Sequence, residues 1–115
     1  MERYVKITES EMDAFLKPEK GWVKQISGYE YVYDYKHPCQ PFVVKVMSSI
    51  SIKDATGRNK GSDAIRVFAV RVDRNNRVVG GLVRSKRVYR TMNWKENLQT
   101  LVIETIQAAK KIIPT

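Results

Sequence analysis

Residues 28–37 read GYEYVYDYKH and place tyrosine at every second position: Tyr29, Tyr31, Tyr33 and Tyr35. Side chains of a β-strand alternate between its two faces, so this stretch predicts a strand with all four rings on one side. Two interpretations are open. The rings pack in a core or at an interface, or they form a platform on which nucleic-acid bases stack.

Four further strand-like runs lie around the tyrosine segment. They are residues 22–27, 42–53, 64–73 and 78–90. The run 42–53 alternates an apolar face with a polar, basic one, which is typical of a sheet with one side open. Asn75-Asn76 predicts a tight turn between the last two runs, because asparagine tolerates a positive φ. Gly80-Gly81 indicates a bulge or a sharp bend in the last run.

A short helix precedes the strands and a long helix follows them. Thr8 and Glu11 have the spacing of a capping box, which predicts a first helix over residues 8–17. Asn93 is a good N-cap residue and predicts the start of a second helix over residues 94–113. At helical spacing, the second helix has one apolar stripe. Its members are Trp94, Leu98, Leu101, Val102, Thr105, Ala109 and Ile112.

The order of these elements predicts an α+β fold formed by a single domain over residues 1–115. A curved antiparallel sheet of about five strands occupies residues 22–91, and the long C-terminal helix packs on one face. The other face of the sheet is expected to be bare. Ile103 lies opposite the apolar stripe of the helix and suggests a second contact, such as a dimer partner.

The charge of the chain predicts a polyanionic partner. The 115 residues carry 21 Lys and Arg against 12 Asp and Glu, a formal net charge of +9. Residues 1–34 sum to −2 and residues 35–115 to +11. Nucleic acid is the expected partner of such a field, while an inert cationic surface or anionic lipid are the alternatives. The sequence shows no amphipathic basic helix, which would favour binding to lipid, so no membrane partner is predicted.

The location expected from the sequence is cytoplasmic. No apolar run reaches the ~20 residues that a membrane-spanning helix needs, and the first residues lack the apolar core of a secretory signal. The one cysteine, Cys39, cannot form a disulfide within the chain, which favours a reducing compartment.

Catalytic chemistry finds little support in the sequence. His37 and Cys39 are two residues apart in a proline-bounded turn, with no third group to orient a nucleophile and its base. One histidine and one cysteine cannot complete a zinc site of about four ligands. A metal-dependent nuclease at Asp54, Asp63 and Lys53 is the third hypothesis, although turn and cap roles suit these aspartates better. No catalytic residue, metal or cofactor is therefore predicted.

The candidate nucleic-acid-binding residues are cations of the strand-like runs 42–53, 64–73 and 78–90 and of the loop after residue 53, together with three tyrosines. The predicted phosphate ligands are Lys45, Lys53, Arg58, Lys60, Arg66, Arg84, Lys86, Arg87 and Arg90. Arg84, Lys86 and Arg90 are evenly spaced and are expected to share a face, with Arg87 on the other. The loop 57–62 could cradle a phosphate or be only a flexible hairpin tip. The predicted stacking residues are Tyr29, Tyr31 and Tyr33.

Several short motifs resemble a known group of proteins. They are VMSSI at 46–50, Gly57-Arg58, KGSDAIRV at 60–67, RSKRVYRT at 84–91 and Asn93-Trp94. These motifs resemble small uncharacterised proteins of cyanobacteria and phages, which are similar in turn to the single-stranded-DNA-binding fold of the Whirly proteins and the coactivator positive cofactor four. The acidic N-terminal helix and the missing lysine-rich Whirly strand motif are departures.

The resemblance implies a sheet that binds single strands without sequence preference and assemblies built through helices and sheet edges. The matching positions for backbone contact are Lys45, Lys53, Arg66, Arg84, Lys86 and Arg90. The sequence thus predicts a non-enzymatic binder of single-stranded nucleic acid, DNA rather than RNA, that forms a homodimer or higher homo-oligomer. The alternative is a protein-interaction or oligomerisation module with the tyrosine strand at its interface.

Overall fold

The structure, a computed structural model, describes residues 7–28, 30–49, 52–53, 59–60 and 64–113. Its elements within these residues are α1 (Glu9–Phe15), a 3-10 helix (Pro18–Lys20), β1 (Trp22–Ser27), β2 (Glu30–Lys36), β3 (Phe42–Ser49), β4 (Ile52–Lys53), β5 (Asn59–Lys60), β6 (Ala64–Val72), β7 (Val78–Tyr89) and α2 (Trp94–Ile112). This confirms the α+β class, with a short N-terminal helix, an open antiparallel sheet and a long C-terminal helix on it.

Five strands form one antiparallel sheet in the order β1-β2-β3-β6-β7, so that β1 and β7 are its edges. The third strand is shorter than predicted. β3 ends at Ser49, and Ile52–Lys53 pairs instead with Asn59–Lys60 in a separate hairpin. The alternating pattern continues through residues 42–53, so periodicity alone could not show where the chain leaves the sheet. Ile50, part of the predicted apolar face, lies outside the described residues.

The side of the sheet that faces the helices forms the main core. Phe42, Val44 and Val46 of β3 are fully buried there, as their alternation predicted. The strand register extends this face to Tyr33 on β2 and Val67 on β6. Helix α2 packs over β7, β6 and β3, and side chains of α1 contact β1 and β2.

The opposite side of the sheet, called the open side below, is not covered by a described helix. It was expected to be polar and basic, but it carries an apolar group of its own. Val43, Val70 and Val72 are buried against one another, with Phe68 packed beside them. Charged side chains are therefore confined to part of this side.

The helix termini follow the sequence only in part. In the capping box of α1, the Thr8 hydroxyl accepts from the Glu11 amide at 3.2 Å and the Glu11 carboxylate accepts from the Thr8 amide at 3.3 Å. Asn93 is the N-cap of α2, but its side chain makes no capping hydrogen bond. At the other end, Ile112 is 52% exposed, while Ile113, one turn after Ala109, is buried. The apolar stripe therefore ends at Ile113 rather than at Ile112.

Candidate nucleic-acid interface

The three described tyrosines of β2 face the helices of their own chain. Tyr33 is 1% exposed, and Tyr31 and Tyr35 are partly buried against the same core. The Tyr33 hydroxyl donates to Asp13 of α1 at 2.7 Å. The ring of Tyr33 therefore packs in the core, one of the two interpretations left open by the sequence, and has no exposed face on which a base could stack. Tyr29 lies outside the described residues.

A polar cluster fixes α1 to the first two strands. Lys24 of β1 forms ion pairs with Glu9 and Asp13, and the Tyr31 hydroxyl donates to Glu9 at 3.0 Å. The Lys24 ammonium also lies 4.9 Å from the centre of the Tyr31 ring, a cation–π distance. The acids at the start of the chain are therefore occupied in holding the tyrosine strand under α1.

The same contacts shift the pKa values of the cluster. Hydrogen bonds from Lys24 and then Tyr31 lower the pKa of Glu9. Burial opposes ionisation of Asp13, but hydrogen bonds from Tyr33 and Lys24 outweigh it and lower its pKa. Burial and the bond to Asp13 raise the pKa of Tyr33. Both carboxylates are thus held ionised, as acceptors in this cluster.

On the open side, two of the predicted phosphate ligands are already paired with carboxylates. Lys45 of β3 lies 3.1 Å from Asp34 across the β2–β3 pair. Nη2 of Arg66 on β6 donates to both carboxylate oxygens of Glu30 at 2.6 Å, a charge-assisted contact. A phosphate would have to displace a carboxylate from either cation. Neither Lys45 nor Arg66 is therefore available in the way the sequence suggested.

Strand β7 carries three exposed cations that form no ion pair with any described residue: Arg84, Lys86 and Arg87. They are called the β7 cations below. The register corrects the expectation that Arg84 and Lys86 share a face. Val67 pairs with Lys86, but Ala69 pairs with Val83, so one extra residue of β7 interrupts the alternation between them. The bulge therefore spreads the β7 cations around the edge strand instead of aligning them on one side.

The end of β7 adds one aromatic ring and removes one predicted ligand. Tyr89 is 49% exposed and pairs with Ala64, two residues beyond Arg87 on the same strand. Arg90 is partly buried, and its guanidinium donates to the Ser48 hydroxyl at 3.2 Å. Arg90 is thus held by β3. Tyr89 was not predicted as a site residue because it lies outside the tyrosine repeat.

The remaining predicted residues fall in or beside the β4–β5 hairpin. Lys53 and Lys60 belong to that hairpin, which forms its own small sheet. Arg58 lies outside the described residues, as do Asp54 and Asp63 of the nuclease hypothesis. These expectations stay predictions.

A second group of cations, missed in the sequence, lies at one end of the sheet. Its members are Lys36, Arg71, Arg74, Arg77, Lys110 and Lys111, and the group is called the basic end below. Lys36 ends β2, Arg71 pairs with Phe42 at the start of β3, and Arg74 and Arg77 belong to the β6–β7 turn. All six residues are exposed, and none forms an ion pair within the part of the chain that the structure describes. The Lys36 ammonium does donate to the carbonyls of His37 and Gln40 at 2.7 and 2.8 Å.

The folding of the chain explains why these distant residues meet. Antiparallel pairing brings the end of β2 and the β6–β7 turn to the same end of the sheet, where these strands start or finish. Helix α2 starts after the end of β7 and runs antiparallel to that strand, so its last turn reaches the same end of the sheet. The pKa of His37 reports this proximity: burial lowers it, and Lys110 and Lys36 lower it further. In the sequence, the motif RVDRNNR at 71–77 and the pair Lys110-Lys111 could have indicated this group of cations.

The acid of the turn does not neutralise the basic end. One Asp73 carboxylate oxygen accepts from the amides of Asn75 and Arg77 at 2.8 and 3.0 Å. Asn76 has φ 60°, the left-handed conformation that the sequence predicted for this turn. The carboxylate therefore shapes the turn and leaves the arginine side chains on either side of it to solvent.

The histidine and cysteine have structural surroundings. His37 stacks on Phe42 with ring centres 4.9 Å apart, and its Nδ1 accepts from the amides of Cys39 and Gln40 at 3.1 Å. The Cys39 thiol is exposed. Among the described residues, no group of three or more His, Cys, Asp and Glu side chains could hold a metal ion. In the same residues, neither helix is long and apolar enough to cross a membrane.

Comparison with known proteins found no family model, no curated relative and no solved structure that matches this chain. The candidate interface therefore rests on its own geometry. It consists of the β7 cations with Tyr89, and of the basic end.

Proposed function

We propose that this protein binds single-stranded nucleic acid along the edge strand β7, without catalysing a reaction, and that it prefers DNA to RNA. One observation carries the proposal: the β7 cations are exposed and without ion pairs among the described residues, whereas Lys45 and Arg66 of the same sheet are paired with acids. A polyanion binds most favourably to cations that have no ion pair with a carboxylate, because no existing contact has to be broken. Phosphate groups would therefore be held at β7 rather than across the open side.

Binding of this kind depends on charge and not on base sequence. Each cation that neutralises a phosphate releases a counterion, so affinity falls steeply with salt. Contacts to phosphate fix the position of the strand but do not read its sequence. The protein is accordingly proposed to bind many sequences with similar affinity.

Tyr89 supports a single strand over a duplex. Its ring is 49% exposed and follows Arg87 by two residues, which places an aromatic surface beside a phosphate ligand. A base can stack on such a ring only when it is not enclosed in a duplex, and stacking adds ~1–3 kcal/mol per base. In this proposal Tyr89 takes the role that the sequence assigned to the buried Tyr33.

Fluorescence anisotropy of labelled single- and double-stranded oligonucleotides, titrated at several salt concentrations, tests the proposal. We expect binding to single strands with a salt slope that decreases by about 0.7 for each phosphate contact removed. Lys86→Ala is the test variant and Lys20→Ala the matched control. Lys20 is equally exposed and lies next to β1, at the opposite edge of the sheet. Equal effects of the two variants, or no binding of wild-type protein at low salt, would refute the proposal.

A kinship with the Whirly-like fold, a cytoplasmic location and a homo-oligomeric state belong to the same proposal. A five-stranded antiparallel sheet followed by one long helix is the layout which that resemblance implies. The exposed free thiol of Cys39 suits a reducing compartment. Ile103 on the outer face of α2 is 47% exposed and supports a helix-mediated contact between copies. Light scattering of wild type and Ile103→Lys tests the assembly, since only a contact through this residue would be lost.

A further inference from the structure

Strand β7 contains two glycines that the fold does not require. Neither Gly80 nor Gly81 has a positive φ. A Cβ atom added at either position would meet nothing within 4 Å. Backbone conformation and internal packing would therefore both accept a larger residue, although glycine weakens a strand interior.

The register of β7 bears out the irregularity predicted at Gly80-Gly81, but the bulges do not require glycine there. The register of β6 and β7 shifts between Ala69 and Val70 and again between Arg71 and Val72, on either side of the pairs made by the glycines. A bulge needs glycine where its first residue adopts a positive φ, and that condition is not met here. Glycine in a strand interior also marks a tight bend or the close approach of another molecule, and the exposed cations on either side of this pair favour the second reason.

The glycines lie between the two groups of exposed cations. The basic end reaches β7 at Arg77, just before the strand begins, and the β7 cations start at Arg84. Six residues lie between Arg77 and Arg84, and because two register shifts shorten the strand there, the two residues are less than about 23 Å apart. No charged residue of β7 lies between them, although Arg71 of the basic end pairs with Gly80 from the neighbouring strand, and the exposed β7 residues of this interval are Val78, Val79 and the two glycines. The interval is thus a smooth surface between two cationic groups.

We infer that one single strand of nucleic acid runs along the whole of β7, held by the basic end and the β7 cations, and crosses directly over Gly80 and Gly81. The inference rests on the proposed function and specifies its path. The 12 residues of β7 pair along the 9 residues of β6 with three register shifts, so the strand spans about 27 Å, which suits the ~4–16 nucleotides that comparable sites occupy. Missing side chains at the glycines would let the nucleic-acid backbone or a base lie against the protein backbone.

A nucleic acid suits this surface better than a second copy of the chain. An edge strand can pair with another edge strand, but each copy carries a formal net charge of +9. Pairing through β7 would bring both sets of β7 cations to one interface, where the like charges repel one another, whereas a contact through α2 keeps them apart. A polyanion meets no such repulsion.

Substitution of Gly81 tests the path directly. Gly81→Asp places a carboxylate in the middle of the proposed path, and Gly81→Ser adds a neutral side chain at the same position. Both side chains enter open space, so both variants are expected to fold, which circular dichroism checks. We expect Gly81→Asp to weaken binding of a long oligonucleotide by about fivefold and Gly81→Ser to weaken it less.

Oligonucleotide length separates the two cationic groups. An oligonucleotide of about 16 nucleotides should reach both groups, whereas one of about 4 should reach only one. The double variant Arg74→Ala/Arg77→Ala should lower the affinity for the long one and reduce its salt slope by about 1.4. Its affinity for the short one should fall by about twofold at most, since one of the two groups stays intact.

Each outcome distinguishes the inference from the proposed function. Failure of wild-type protein to bind any oligonucleotide would refute both. Binding that depends on Lys86 but is unchanged in Gly81→Asp and in the double variant would refute the path and leave the function standing. If Gly81→Asp changes only the molar mass in light scattering, the edge is a contact between copies and the inference is overturned.

Discussion

Two regions of the molecule differ in whether their cations have carboxylate partners. From β1 to β6 the side chains of Lys24, Lys45 and Arg66 each have a carboxylate partner. At β7 and the basic end, the exposed cations have none among the described residues. The acids of residues 9–34 thus neutralise the cations that face them around α1 and the open side, a region called the neutralised half below, whereas the cations of β7 and the basic end have no such partner among the described residues.

Net charge along the sequence therefore does not show which cations lack a carboxylate partner. Residues 35–115 sum to +11, but Lys45 and Arg66 of that segment are paired with Asp34 and Glu30 of the other. Partly exposed ion pairs of this kind stabilise a fold by only about 1 kcal/mol. Their larger consequence is to exclude a polyanion from one region, and the predictions below test this division.

The largest effect is expected inside the neutralised half, from Tyr33→Ala. Removing a large buried aromatic side chain costs about 3–5 kcal/mol of unfolding free energy, which urea denaturation measures. Tyr33→Phe is the matched control. It keeps the ring and loses only the bond to Asp13, so about 1 kcal/mol is expected. If Tyr33→Ala kept its stability and lost oligonucleotide binding, the tyrosine strand would be the binding platform after all.

The next effect compares an arginine of each half. Arg84→Ala should lower the salt slope of oligonucleotide binding by about 0.7 and leave stability within about 0.5 kcal/mol of wild type, as an exposed side chain does. Arg66→Ala should do the opposite. Its salt slope should stay unchanged, and its stability should fall by up to about 1 kcal/mol with the loss of the Glu30 pair. Anisotropy and urea denaturation of the same two samples decide the comparison, and equal salt slopes would abolish it.

The sequence predicted what depends on local pattern. The capping box of Thr8, the turn at Asn76 and the buried face of β3 each follow from a few neighbouring residues. Alternation also placed the tyrosines on one side of β2, but it cannot tell which side a helix will cover. Only the docking of α1, through Asp13, shows that Tyr33 is enclosed.

The site was less predictable because it depends on register and topology. Glu30 and Arg66 are 36 residues apart in the sequence and meet only through the pairing of β2, β3 and β6. One extra residue in β7 reverses the alternation between Arg84 and Lys86. The basic end forms only because four separate segments, β2, β6, the β6–β7 turn and α2, meet at one end of the sheet. Local periodicity contains none of this information.

The smallest effect expected is a pH dependence confined to the neutralised half. Contacts with Lys24 and the tyrosines lower the folded-state pKa values of Glu9 and Asp13 below their ordinary values of 4.5 and 3.8. A group whose folded-state pKa is lowered stabilises the fold above its unfolded pKa, and this contribution is lost as the pH falls through the folded pKa. Urea midpoints should therefore decrease from about pH 5 downward.

The double variant Glu9→Gln/Asp13→Asn should flatten that decrease, because two of the titrating groups are removed. Lys86→Ala should reproduce the wild-type profile, since the β7 cations form no ion pair with any described carboxylate. A Lys86→Ala profile as flat as that of the double variant would show that carboxylates also neutralise β7. The division of the sheet into two halves, and with it the reason for placing the nucleic acid at β7, would then be wrong.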